Sequence, residues 1–208
     1  TQLLREGTIG EVHSVDFAWF LDTVHGANYF RRWHRRKENS GGLLVHKATH
    51  HFDLLNWALD QEPTRVYASG GLRFYGPARA ERGQRCVMCH YGESCQFFKP
   101  GASAGQDGGV AEDYYGDHCV FGSDIDIEDT MGVMVNYSGG TQLHYSLNAF
   151  LPFEGFRAAF NGSKGRLEVG LISDFIPQVT HSFKERSKMR RPIDPWRAAA
   201  GDLSLTRE

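Results

Sequence analysis

The sequence predicts an α+β domain, an open and mainly antiparallel β-sheet with a helix packed on one face. Three observations predict this fold. Residues 11–20 alternate polar and apolar side chains as a half-buried strand does. Residues 40–59 change to a helical period that places Phe52, Leu55 and Leu59 on one stripe. Residues 128–171 contain two pairs of alternating runs, each pair joined by a glycine-containing turn typical of a hairpin.

The composition excludes several classes of protein. The 208 residues carry a formal net charge of -2, which gives no overall basic field for a nucleic acid or an anionic membrane. No apolar run approaches the about 18 residues that span a bilayer, and the first residues do not resemble a signal peptide. We therefore expect a soluble, cytoplasmic protein whose partner is a small molecule. The absence of an initiator Met suggests a piece of a longer protein.

The first strand is followed by an irregular polar stretch, residues 22–37, in which arginines alternate with aromatic residues. Such a run can grip a nucleic acid, but no matching basic stripe occurs elsewhere, and a solvated loop is the simpler alternative. We predict instead that Arg32, Trp33 and His34 border a substrate cleft, because the chain soon reaches the Gly41-Gly42 turn before the helix. A guanidinium offers a fork suited to carboxylate or phosphate.

The predicted helix carries His46, His50 and Asp53 at spacings that place them on one face of its first turns. Imidazole exchanges protons near neutral pH, so the pair of histidines is a candidate for proton transfer. A hydrogen-bonded structural histidine is the simpler alternative. The H-x-x-x-H spacing also occurs in zinc proteases, but these need a Glu where this chain has Lys47.

All four cysteines lie in one irregular insertion, residues 78–124. The Cys-x2-Cys start favours a four-thiolate zinc site, with His90 and His118 as substitute ligands. Two disulfides or free thiols remain alternatives, since the later gaps are irregular. The predicted zinc ligands are Cys86, Cys89, Cys95 and Cys119.

We expect residues 1–181 to form a substrate and oligomerisation domain and residues 182–208 to form a polar tail, with one helical turn at 196–200. The hairpins and the earlier strands give a sheet of about six strands. Its uncovered apolar face predicts a homodimer or homotetramer.

The pattern from Gly41-Gly42 through His50, Asp53 and Trp57, followed by Pro63 and the strand at residues 65–68, resembles the second domain of the glucose-fructose oxidoreductase / inositol dehydrogenase / MocA family. These enzymes are NAD(P)-dependent dehydrogenases. The resemblance implies that His50 transfers a proton to or from the substrate. His46 stands where the family has Asp and would orient the substrate, and Lys47 and Glu154 join the candidates for substrate binding.

No G-x-G-x-x-G motif lies behind a strand, so the chain contains no recognisable Rossmann domain. The resemblance therefore implies that NAD or NADP binds to a domain upstream of this chain. The expected function is the substrate half of a dehydrogenase for sugar-like or polyol substrates, inactive by itself. Two rival hypotheses are a sheet-mediated assembly module without catalysis and a zinc-binding interaction domain.

Overall fold

A computed structural model describes residues 1–99 and 116–173, together with the backbone of residues 203–206. Five helices occur in these ranges: α1 Gln2–Arg5, α2 His25–Arg31, α3 Lys37–Ser40, α4 Leu43–His46 and α5 Thr49–Leu59. Seven strands occur with them: β1 Val12–Asp22, β2 Pro63–Gly71, β3 Thr130–Tyr137, β4 Gln142–Leu151, β5 Glu154–Gly162, β6 Gly165–Ser173 and β7 Leu203–Thr206. Short 3-10 turns lie at Trp33–Arg35, Gly76–Ala78, Cys86–Met88 and Gly92–Ser94.

The seven strands form one sheet in the order β2-β3-β4-β1-β5-β6-β7. β1 runs parallel to β4, and the other neighbouring pairs are antiparallel. The prediction of an open, mainly antiparallel sheet is therefore confirmed. The tail differs from its prediction, because residues 203–206 pair with β6 as an added edge strand. The helical turn predicted at 196–200 lies outside the described residues.

Helices α2 and α5 cover one face of the sheet. Phe30 of α2 and Leu55 of α5 are buried against Phe17, Tyr145 and other apolar side chains of the central strands. Leu55 belongs to the predicted stripe, and its companions Phe52 and Leu59 also pack against this core. The other face of the sheet carries side chains such as Asp16 and His144, which hydrogen-bond to each other at 3.3 Å. One face thus supplies the core, and no helix among the described residues covers the other.

The single helix predicted after Gly41-Gly42 is wrong in one respect, since it consists of two helices. α4 ends at His46 and α5 begins at Thr49. Between them the N–H of the buried Ala48 bonds to the carbonyl of Leu43 at 2.9 Å, and its own carbonyl accepts from Phe52 at 3.0 Å. The regular helical hydrogen bonding is therefore interrupted at Lys47 and Ala48, and His46 and His50 belong to two different helices.

The described part of the insertion packs on the domain through a buried arginine of α2. Arg31 donates Nη2 to the carbonyl of Phe97 and Nη1 to Sγ of Cys86, the second at 3.4 Å. Arg31 and Arg35 are both buried, so the arginine-rich stretch is not the solvated loop that composition alone favours. Among the described helices, none is long and apolar enough to cross a membrane.

Candidate functional site

Five ring side chains converge where α2, the 3-10 turn Trp33–Arg35 and the end of α4 meet. We call this group the histidine–aromatic cluster. The ring centroids of His34 and His46 lie 4.5 Å apart, and Tyr29 lies 5.4 Å from His34 and 6.0 Å from His46. Its five members are His25, Tyr29, Trp33, His34 and His46. The fold thus gathers side chains from three separate elements.

Helix α2 is positioned by the residue that ends β1. The buried carboxylate of Asp22 accepts the N–H groups of Val24 and His25 at 2.9 Å and 2.6 Å, which fixes the start of the helix. One residue later Gly26 lies so close to β4 that a Cβ atom there would sit 1.9 Å from the carbonyl oxygen of Ala149. Only glycine allows this approach, so the sequence sets how near His25 and Tyr29 come to the sheet.

His25 joins the cluster to the first residue of β5. Its Nδ1 lies 2.7 Å from Oε1 of Glu154, and its Nε2 lies 3.4 Å from the hydroxyl of Tyr29. Burial, and then the charge of Glu154, raises the pKa of Tyr29, so the phenol keeps its proton at neutral pH. The carboxylate of Glu154, the imidazole of His25 and the phenol of Tyr29 are therefore linked one after another by hydrogen bonds. This arrangement can hold one tautomer of the His25 ring and orient the hydroxyl of Tyr29.

The next residue fixes the place of Glu154. Gly155 has φ of 149°, and a Cβ atom there would lie 2.0 Å from the carbonyl oxygen of Leu171. Any other residue would push β5 away from β6. The Glu154-Gly155 pair therefore places a carboxylate at the edge of the cluster, next to His25. The cleft role expected of Glu154 stays a prediction.

His34 is a half-buried imidazole that packs against another ring of the cluster. The ring of Trp33 stacks on it with centroids 4.0 Å apart. Burial, followed by the charges of His46 and Arg32, lowers the pKa of His34 to about 4, so it is neutral at pH 7. Its Nδ1 is buried and has no hydrogen-bond partner among the described residues, and the same holds for Nε of Arg32. A ligand hydroxyl could satisfy such atoms, because buried polar groups are normally paired.

His50 lies outside the cluster contacts. It is exposed on the first turn of α5, where Nδ1 lies 3.3 Å from the hydroxyl of Thr49. Asp53, the third member of the predicted face, is also exposed. Lys47 turns toward the sheet and places Nζ 5.3 Å from the centroid of the Trp19 ring. Of the predicted site residues, Arg32, Trp33, His34, His46 and Glu154 lie in or beside the cluster.

Sequence reasoning missed the buried histidine of this helix, His51. Its ring stacks on Trp19 at 4.1 Å, and its Nδ1 lies 2.8 Å from the hydroxyl of Tyr145. Burial, and then the charges of Lys47 and His50, lowers the pKa of His51 to about 4. Its spacing could have indicated that it is buried, because it lies four residues before Leu55 and therefore on the same apolar stripe of the helix. His25 and Tyr29 were missed as well, although their i, i+4 spacing on α2 was visible.

The four-cysteine zinc site is not supported by the structure. The described ranges contain all four cysteines, and in them no group of three or more His, Cys, Asp or Glu side chains could hold a metal ion. No disulfide joins the thiols either. Two sulfurs instead face guanidinium groups, since Cys86 accepts from Arg31 at 3.4 Å and Cys95 accepts from Arg79 at 3.1 Å.

Known proteins resemble this chain over most of its length. A Bacillus subtilis (strain 168) protein named "Putative oxidoreductase YteT" is 43% identical, over 80% of this chain and 44% of that protein. The crystal structure of an oxidoreductase domain protein from Kribbella flavida matches with a TM-score of 0.50 and 19% identity, over 81% of this chain and 37% of that one. Apo scyllo-inositol dehydrogenase from Lactobacillus casei matches with a TM-score of 0.50 and 15% identity, over 81% and 35%.

The two structures share the fold, and this chain spans less than half the length of each of these relatives. The family model described as the C-terminal alpha/beta domain of the oxidoreductase family, GFO_IDH_MocA, matches residues 1–192. With that match over nearly the whole chain, the sheet, its covering helices and the histidine–aromatic cluster belong to a C-terminal domain of the Gfo/Idh/MocA oxidoreductase family.

Proposed function

We propose that this chain is the substrate-binding and catalytic half of a cytoplasmic NAD- or NADP-dependent oxidoreductase that acts on a sugar or polyol-like substrate. The observation that carries the proposal is the histidine–aromatic cluster, with the exposed His50 following its member His46 by four residues along the chain. Its aromatic faces suit the apolar faces of a sugar ring, and the neutral imidazole of His34 suits a hydroxyl group. The unpaired Nδ1 of His34 would gain a partner from such a hydroxyl.

The dinucleotide is assigned to a domain outside this chain. None of the described strands leads through a G-x-G-x-x-G turn into a helix, the arrangement that holds a pyrophosphate. The residues here therefore do not fit the cofactor and act only on the substrate side. NAD or NADP bound elsewhere would take or give the hydride. Accordingly, the 208-residue chain alone should neither turn over substrate nor bind either dinucleotide with a Kd of about 1 to 10 µM.

His50 is proposed to exchange the proton of the reacting hydroxyl, and His46 to orient the substrate. Exposure on the first turn of α5 leaves the His50 ring accessible to a substrate, whereas His51 on the same helix is buried and already bonded to Tyr145. Arg32, Trp33, His34 and Lys47 would line the substrate, with Arg32 and Lys47 supplying positive charge. Glu154 would act through His25, which it holds.

The test compares histidines in the full-length protein. His50→Ala should lower kcat by about 10² to 10⁴-fold, the usual contribution of a positioned proton-transfer group, without changing the melting temperature. His144→Ala, which removes a half-exposed histidine from the uncovered sheet face, is the matched control and should leave kcat unchanged. His46→Asp restores the residue type of the family and should keep most activity with a shifted pH profile. A stable His50→Ala enzyme with normal turnover would remove His50 from the mechanism.

We also propose that two copies associate through the uncovered face of the sheet. A groove of about 490 Å³ on this part of the sheet is lined by residues of β1, β4, β5 and β6, including Asp16, Ala18 and Ser146. Small side chains such as Ala18 and Ser146 lie opposite each other in the β1–β4 register and would allow close approach of a second sheet. Sheets with one uncovered face are commonly buried in this way.

A further inference from the structure

Lys47, between α4 and α5, places its ammonium group over an aromatic ring of the sheet. Its Nζ lies 5.3 Å from the centroid of the Trp19 ring, and the imidazole of His51 stacks on the same ring at 4.1 Å. The side chain of Lys47 is half-buried, and its charge is the second cause, after burial, of the lowered pKa of His51. We call Lys47 and Trp19 the lysine–indole pair.

Two connections place the lysine–indole pair beside the histidine–aromatic cluster. Lys47 directly follows His46, which is a member of the cluster. Trp19 lies opposite the third residue of β5, and the first residue of that strand, Glu154, bonds to His25 of the cluster. The pair and the cluster therefore lie on the same, helix-covered side of the sheet.

The ammonium group of Lys47 forms no ion pair with any residue that the structure describes. Two carboxylates of the neighbouring strands are already engaged elsewhere. Glu154 bonds to His25 at 2.7 Å, and Asp22 accepts two backbone N–H groups at the start of α2. A positive charge that is partly removed from water without a counter-ion is unfavourable, and a bound anion would supply the missing partner.

The polar ring atoms without partners in this region also need a ligand with acceptor atoms. Nε1 of Trp19 is buried and has no hydrogen-bond partner among the described residues, and the same holds for Nδ1 of His34. An indole N–H can only donate, and a neutral imidazole donates from one of its two nitrogens. Carboxylate and hydroxyl oxygens are acceptors that would satisfy such donors.

From the unpaired ammonium group and these unpaired ring atoms, we propose that the substrate is a sugar acid whose carboxylate binds Lys47 beside Trp19. The inference rests on the proposed function and names the class of its substrate. A carboxylate matches the single positive charge of Lys47 and accepts a charge-assisted hydrogen bond. A phosphate dianion would bring a second charge that has no partner at the lysine–indole pair. The hydroxyl groups of the sugar face the histidine–aromatic cluster.

Calorimetric titration of the full-length protein with matched pairs of sugars tests the carboxylate. The pairs are glucuronate with glucose and galacturonate with galactose, and each pair differs only by a carboxylate in place of a hydroxymethyl group. At least one uronate should bind with a Kd about tenfold or more below that of its neutral partner. Absent binding of both uronates, or equal Kd values within both pairs, would overturn the proposal.

Variants of Lys47 test whether its charge causes the preference. Lys47→Met keeps the aliphatic contact with Trp19 but removes the charge, so the two Kd values of a pair should approach each other. Lys47→Arg keeps the charge and should retain part of the preference. Lys164→Met, at an exposed lysine in the turn between β5 and β6, is the matched control and should retain all of it. Melting temperatures check that each variant is folded. A folded Lys47→Met protein with the full preference would overturn the assignment.

The 6-phosphates of glucose and galactose distinguish a carboxylate from a phosphate. They should bind less tightly than the preferred uronate, and tighter binding would overturn the assignment of a sugar acid. Because these titrations measure binding, they are independent of hydride transfer. A preference for uronates without reduction of the nicotinamide would retain the sugar-acid site and reject the proposed oxidoreductase activity. Reduction of the nicotinamide by neutral sugars, without a preference for uronates, would do the reverse.

Discussion

The hydroxyl of Tyr145 on β4 lies 2.8 Å from Nδ1 of His51 on α5, and this hydrogen bond joins the helix that carries His50 to the centre of the sheet. Both side chains are buried. Phe17 stacks on Tyr145 at 5.6 Å, and Trp19 stacks on His51, so the polar pair is enclosed by aromatic rings. An enclosed hydrogen bond of this kind is costly to leave half made.

Tyr145→Phe should therefore destabilise the domain. The change leaves Nδ1 of His51 buried without a partner, which costs about 1 to 3 kcal/mol in the free energy of unfolding. Urea unfolding followed by tryptophan fluorescence measures the effect. Tyr67→Phe is the matched control, because Tyr67 is 68% exposed on β2 and should change stability little. Equal stability of the two variants would contradict the role given to the bond.

Stability should also fall in mild acid. The pKa of His51 and that of His34 are each lowered to about 4, in both cases first by burial. In the unfolded chain both lie near 6.5. Between these values the unfolded state binds more protons, so the free energy of unfolding decreases as the pH falls from about 6.5 to about 4 and is fully retained above that window.

Urea midpoints measured at several pH values check this dependence. His51→Gln removes one of the two titrating groups, so its stability should change less across the same window than that of the unaltered chain. Since Gln can still hydrogen-bond to Tyr145, the variant should remain folded at neutral pH. Parallel pH curves for the two proteins would show that His51 does not contribute.

The sequence predicted the central strands well because they alternate buried and more exposed side chains, as Val15 and Phe17 show in β1. It did not predict that β1 pairs in parallel with β4, because a pairing between strands so distant in sequence leaves no local pattern. In the predicted helix at residues 40–59, the spacing identified the histidines but not the interruption at Ala48 between α4 and α5, because that interruption depends on packing. As a result His51, rather than His50, is the histidine under the sheet.

The cysteine spacing shows another limit of sequence patterns. Cys-x2-Cys is compatible with zinc, but the arginines that face Cys86 and Cys95 come from α2 and from the loop at Arg79. Contacts from such distant residues cannot be read from spacing. For the same reason the sequence could not predict that Glu154 contacts His25, since 128 residues lie between them along the chain.

Gly26→Ala should displace α2 and disturb the cluster. A methyl group at this position would meet the carbonyl oxygen of Ala149 at 1.9 Å, so the helix that carries His25 and Tyr29 must move. We expect a loss of about 1 to 3 kcal/mol in stability, typical of overpacking, and a lower kcat in the full-length protein. Gly132→Ala is the control, because its nearest contact would be an ordinary 3.9 Å. Equal behaviour of both variants would contradict the proposed close approach.

Ala18→Arg should break self-association through the uncovered sheet face. Ala18 alternates with the buried Phe17 along β1, so it points away from the core, and an arginine there would hold two sheets apart. Light scattering should then give the monomer mass where the unaltered chain gives a multiple of it. Leu54→Arg adds the same charge on the exposed side of α5 and should not change the mass. A monomeric unaltered chain would rule out this interface.

Glu154→Gln tests whether the carboxylate–imidazole–phenol sequence supports catalysis. Gln keeps the size of the side chain but removes the charge that holds His25 and that raises the pKa of Tyr29. In the full-length protein we expect kcat to fall by about 10 to 100-fold, with the alkaline side of the pH profile moving to lower pH. The melting temperature should stay nearly constant, because Glu154 is partly exposed.

Glu168→Gln on β6 is the matched control, since Glu168 bonds to Arg166 and lies away from the cluster. Tyr29→Phe should reproduce the fall in kcat if the phenol is the group that meets the substrate. A Glu154→Gln enzyme with unchanged kcat and an unchanged pH profile would confine the pair to a structural role in joining α2 to β5.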